Sequence, residues 1–243
     1  MKKSAAIALM TAPLLLAAYG VVRIIGKSDG VYGPGWDWQA AHLLALAGVF
    51  LFVPGVLHLG RLLPRGPWRT GTVAVTMFGL AASAVQFSAD IWFALRADDK
   101  AGMQALSGDF GDIPGVDLVV YQVGPQLFFV GLLTLTILAA RAGRMPWWSP
   151  VVLLAGIVLP PVTLDLLPLS GLLITAALWP ATRGGRAAAP TGGDVEGPTG
   201  RGATATPLRR AAFSGGTAPA SRIQGLADNR PEVYAGPPPR VTP

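Results

Sequence analysis

For its first three quarters the chain alternates long apolar stretches with short polar connections. Ser4 to Ile25, Trp38 to Leu63, Thr72 to Leu95 and Val116 to Ala140 are each mostly apolar. Runs of about 18 or more such residues read as membrane-spanning helices. A fifth apolar stretch, Trp147 to Trp179, is interrupted by "LPPVTLDLLP" at Leu159–Pro168. Proline in a helix interior removes a hydrogen bond and clashes with the preceding turn, so Pro160-Pro161 is expected to end a helix. The pattern predicts spans over 4–25, 38–63, 72–95, 116–140, 145–159 and 162–179. The last two are short, about 22 and 27 Å at about 1.5 Å per residue, against a hydrocarbon core of roughly 30 Å. Two thin spans, or a re-entrant hairpin followed by a span, both fit.

The connections carry the orientation. Gly60–Thr70 holds Arg61, Arg65 and Arg69 and no acid, and Arg141–Pro146 holds Arg141 and Arg144 and no acid. With Lys2 and Lys3 they define one face. The other face takes Gly26–Asp37, with Lys27, Asp29 and Asp37, and the acidic Arg96–Asp117 connection. Short loops rich in Lys and Arg stay cytoplasmic. Arg183 and Arg186 match that side only if the chain crosses an even number of times after Arg144. The expectation is an all-α, polytopic transmembrane bundle of six helices in a bacterial plasma membrane, with both termini cytoplasmic. The first run follows Lys2 and Lys3 as a secretory signal would. It continues past Tyr19 and Gly20 to Ile25 without a small-x-small cleavage pattern, so it reads as an uncleaved span.

Composition supports the class. Apolar residues make up 51% of the 243 and charged ones 13%, against roughly 25% charged in soluble domains. The absence of cysteine excludes disulfides, thiolate metal sites, iron–sulfur clusters and a cysteine nucleophile. The net charge of +6 does not point to nucleic acid, because the basic residues border spans or lie dispersed. From Ala181 the character changes: "TRGGRAAAPTGGDVEGPTGRGATATPLRR" and "YAGPPPRVTP" have no apolar periodicity. Such a segment buries too little to offset its ordering entropy. Residues 1–181 are thus expected to form the transmembrane domain. Residues 182–243 are expected to form a disordered basic cytoplasmic tail, either passive or touching anionic headgroups.

"YGVVRIIG" followed by "WQAAHLLALAGVFLFVPGVLHLGRLL" resembles the opening of multi-spanning integral membrane proteins of GC-rich bacteria. The resemblance covers about the first quarter of the chain and rests on the Tyr-Gly before a charged loop and the His-Leu that starts the second span. It implies a membrane bundle and no particular activity.

Polar groups inside spans are costly and so raise a functional question. The orientation puts His42, Gln86, Asp90, Gln122, Gln126 and Asp165 near the extracytoplasmic side. Ser83, Gln86 and Asp90 recur at helical spacing on one face, as do Gln122 and Gln126. Gly79 and Ser83 form a small-xxx-small pair that invites another helix to that side. A cluster of these six residues would either satisfy its own hydrogen bonds or line a cavity for a small polar ligand, a cation or a proton. His42 and His58 lie on one helix, about 24 Å apart along its axis, so they cannot ligate one haem together. "DFG" at Asp109–Gly111 lacks the rest of a kinase site, and no G-x-S-x-G, H-E-x-x-H or Walker pattern occurs. The sequence therefore predicts no cofactor and no recognisable catalysis. The expected role is binding, sensing or assembly in the bilayer, with a small proton- or ion-coupled transporter as the alternative.

Overall fold

The computed structural model describes residues 3–28, 30 and 33–183. Beyond its first two residues, the tail expected over 182–243 lies outside them. All regular structure among the described residues is helical. Helices α1 (Lys3–Gly26), α2 (Trp36–Leu62), α3 (Pro67–Arg96), α4 (Lys100–Gly111), α5 (Gly124–Arg141), α6 (Trp148–Val162) and α7 (Leu167–Thr182) follow in order. A π-helical segment, Asp117–Val123, leads into α5, and a single 3-10 turn, Leu164–Leu166, leads into α7. Among the described residues five helical stretches are long and apolar enough to cross a membrane: Ser4–Gly26, Trp36–Leu62, Pro67–Arg96, Asp117–Arg141 and Leu164–Thr182. α6 is apolar but shorter.

Three local departures from the sequence expectation have physical causes. The acidic connection after α3 is not a plain loop: α4 forms within it, and "DFG" is its last turn. The Asp99 side chain caps α4 by accepting from the Gly102 N–H at 2.7 Å. Met103, Leu106 and Phe110 lie on that helix and pack with Trp38, Phe93 and Ala94. α6 runs through both prolines to Val162 instead of stopping at Leu159. Pro160 has no N–H for the Gly156 carbonyl, and the Ser170 hydroxyl from α7 donates to that carbonyl at 2.7 Å instead. Before Pro125 the helix widens, and the Gly124 N–H reaches back to the Val119 carbonyl. One turn of looser pitch thus accommodates the proline ring.

The helices pack in chain order around a closed ring. α1 lies against α2 and α7, α3 against α2 and α5, and α6 against α5 and α7. Leu9, Phe52, Val56, Leu80, Phe128, Leu132, Leu153 and Ile174 fill the interior. Small residues set the helix separations. At Gly79 of α3 the backbone of α5 comes so close that no side chain fits, and Gly131 of α5 meets Thr76 of α3 in the same way. α5 is thus the helix that approaches at Gly79. On the opposite side of the ring Gly171 of α7 lies against Pro13 and Ala17 of α1. Such contacts replace the hydrophobic drive that lipid cannot supply.

The outer faces are apolar. Ile7, Leu14, Phe50, Phe78, Val85, Val130, Val151 and Val158 are all exposed, which suits hydrocarbon and not water. Hydroxyls within the spans bond back to their own helix: Thr76 to Thr72, Ser83 to Gly79, Thr136 to Leu132 and Thr175 to Gly171. No donor is left facing lipid at those positions. Exposed Trp36, Trp68, Trp92, Trp147 and Trp179 sit at or near helix ends, the usual depth of interfacial aromatics. Arg96 stacks on Trp92 at 4.2 Å and Arg183 on Trp179 at 5.0 Å from the ring centres.

Candidate functional site

The C-terminal ends of α1 and α3, the N-terminal end of α2, the π-helical turn and α4 meet at one end of the bundle. Between them is a cavity of about 480 Å³ lined by Arg23, Lys27, Trp38, Asp90, Lys100 and Ser107, among others. α4 forms one wall because its apolar face is seated on Phe93 and Ala94.

Asp90 forms the acidic side. One carboxylate oxygen accepts from the Tyr121 hydroxyl at 3.3 Å. The other lies 4.0 Å from Nε2 of His42. The opposite ring nitrogen of His42, Nδ1, donates to the Trp38 carbonyl at 2.8 Å. That bond fixes the tautomer and turns Nε2 toward the acid. The ring itself is buried: it stacks on Trp38 at 4.2 Å and takes edge contacts from Tyr19 and Phe87. α2 and α3 are further joined by the Trp38 indole donating to the Asp90 carbonyl and the Gln39 amide donating to the Ile91 carbonyl. Three helical segments therefore hold Asp90 in one place, with 17% of its side chain still exposed.

The other charged lining residues are basic. Arg23 and Lys27 extend from the last turn of α1 and the residue after it, and both bond Asp165, at 3.0 and 2.9 Å. Lys100 projects from the first turn of α4. Among the described residues three cations and one carboxylate thus line the cavity, while Asp165 lies behind two of the cations. Asp165 occupies the 3-10 turn before α7, anchored by its N–H donating to the Thr163 hydroxyl.

The structure brings His42 and Asp90 together and sends the other expected residues elsewhere. Asp165 bonds Arg23 and Lys27, not His42 or Asp90. Gln86 lines a separate apolar pocket of about 80 Å³ among Ala12, Phe52, Ser83 and Phe128. Gln122 is exposed and donates to Asp117, and Gln126 is exposed on the outer face. Gln122 lies within the π-helical segment, whose wider turn changes its face from that of a regular helix, and Gln126 lies between the buried Gly124 and Phe128 of α5 and so faces outward. Ser83 is spent on its own Gly79 carbonyl. Sequence reasoning missed the cations as site residues. The signal existed for Arg23, a charge inside an apolar run. For Lys100 it required recognising α4. His58, at the other end of α2, donates to the Ala181 carbonyl at 3.3 Å.

No family model, curated protein or solved structure matches the chain. Among the described residues no three His, Asp or Glu side chains converge to hold a metal ion. The site offers charge and hydrogen bonding toward a small solute, with the Arg23, Lys27 and Lys100 cations, the Asp90 carboxylate and the Trp38 indole in its lining.

Proposed function

We propose that the chain is a six-crossing membrane protein with both ends cytoplasmic, and that it binds a small solute carrying an anionic group in the cavity beneath α4. The observation that carries this reading is the charge of the lining: Arg23, Lys27 and Lys100 against Asp90. Oppositely charged loops on the two faces support the orientation, and the hairpin of α6 and α7 supplies the fifth and sixth crossings. Binding is favoured over transport because, among the described residues, the lining below the site is mainly apolar. The next pocket down is apolar and small, and the hydroxyls at that depth bond their own helices.

The test is a thermal-unfolding screen of the purified full chain against small carboxylates, phosphates and amino acids. A solute at about 100 times its Kd adds about 2.7 kcal/mol, a rise of about 5–10 °C for a protein of this size. The reading expects an anionic stabiliser whose effect falls in Lys100→Gln. Stabilisation only by neutral or cationic solutes overturns it. Flux through reconstituted vesicles that Asp90→Asn abolishes would establish the transport reading instead.

A further inference from the structure

A second cavity opens at the opposite end of the bundle, where the chain turns from α2 into α3. It holds about 590 Å³ and is lined by Arg61, Arg65 and Arg69 together with Leu57, Thr70 and Val73, among others. No acid lines it. Among the described residues none of the three guanidinium groups has a hydrogen bond or an ion pair. Three cations gathered within one cavity repel one another and call for a counter-anion.

The walls divide by chemistry. The arginines and Thr70 form the polar part, and Leu57, Val73 and Ala74 form the apolar part, on the last turns of α2 and the first of α3. Both helices belong to the stretches apolar enough to span a membrane, so the divide falls at the boundary between headgroups and acyl chains. Trp68, 81% exposed, stands beside it, at the depth where indoles favour the interface. A guanidinium fork matches two phosphate oxygens, and the start of α3 turns its positive end toward the same space.

We propose that this cavity seats the phosphodiester headgroup of an anionic phospholipid, with an acyl chain lying on Leu57 and Val73. The amphipathic wall selects a membrane lipid over free phosphate, which would use the arginines alone. The site is independent of the cavity beneath α4.

The test uses the full chain in detergent doped with equal amounts of phosphatidylglycerol and phosphatidylcholine of the same acyl chains. Native mass spectrometry reads the ratio of the two lipids retained. Wild type is expected to retain phosphatidylglycerol selectively. Each arginine removed should lower the ratio about fivefold, so that Arg61→Gln, Arg65→Gln and Arg69→Gln together bring it to about one. Arg141→Gln with Arg144→Gln, on the neighbouring basic loop, should leave it unchanged. Excess inorganic phosphate should not displace the lipid. If the triple variant fails to fold, Arg65→Gln alone tests the same point through its single step. The proposal is overturned if the ratio survives the arginine changes, if the Arg141 and Arg144 pair lowers it equally, or if inorganic phosphate empties the site.

Discussion

Adding one methyl group at Gly79 should separate two helices. An alanine Cβ there would lie 2.7 Å from the Gly124 carbonyl oxygen and from Phe128 Cα, and closer still to the Phe128 nitrogen, whereas ordinary contact begins at 3.4 Å. All three are backbone atoms, so no rotamer change relieves the overlap, and the Phe128 nitrogen, the nearest of them, requires α5 to retreat by about 1 Å. Overpacking of this kind costs about 1–3 kcal/mol. The intrinsic preference of a helix for Ala over Gly returns up to about 1 kcal/mol. With rigid backbone on the other side the overlap lies at the upper end of that range, so the net loss is about 2 kcal/mol, a fall in Tm of about 4–8 °C in a micelle unfolding assay. Gly108→Ala is the matched control. It adds the same methyl to α4, where nothing lies within 4 Å, and should gain about 0.5–1 kcal/mol. The two variants should move in opposite directions. A Gly79→Ala protein as stable as wild type, or one that shifts together with Gly108→Ala, refutes the close approach of α3 and α5.

Two further outcomes test other parts of the structure. Tyr121→Phe keeps the ring against Phe110 but removes the 3.3 Å bond to Asp90, and should cost about 1 kcal/mol in the same assay. A cost near zero would mean that water replaces the phenol there. Because the chain has no cysteine, single Ala105→Cys and Gly66→Cys variants report orientation. A membrane-impermeant maleimide added to intact cells should label the first and not the second, and the reverse pattern would invert the proposed topology.

Hydropathy alone locates the long helices because lipid-facing and core-facing residues are both apolar, so each span reads as one block. The ring order is not legible. It depends on which glycine meets which backbone, as at Gly79 and Gly171, and one sequence without a partner pattern does not encode that visibly. α4 is legible in principle. Asp99 has the residue type of a cap, and Met103, Leu106 and Phe110 recur at helical spacing, but the surrounding acids suggest a loop. The site is half legible for a definite reason. His42 and Asp90 lie on regular helices, where spacing predicts the face. Gln122 lies within a π-helical turn, which spacing rules do not foresee, and Gln126 falls between the buried Gly124 and Phe128 on the outer face of α5. Depth alone puts Asp165 in the same cluster, whereas its position around the ring puts Arg23 and Lys27 nearer.

The bridge from Arg23 and Lys27 to Asp165 has a consequence for how the protein is made. It joins the first membrane helix to the last, across 142 residues for Arg23. In the proposed orientation these two cations stand on the outer side, where they counter the orienting effect of Lys2 and Lys3 on a newly emerged α1. Their carboxylate is not synthesised until every intervening helix has been translated. Asp165 is therefore a late clasp: α1 can pack on α2 as soon as both are made, whereas this bridge closes only when the last helix arrives.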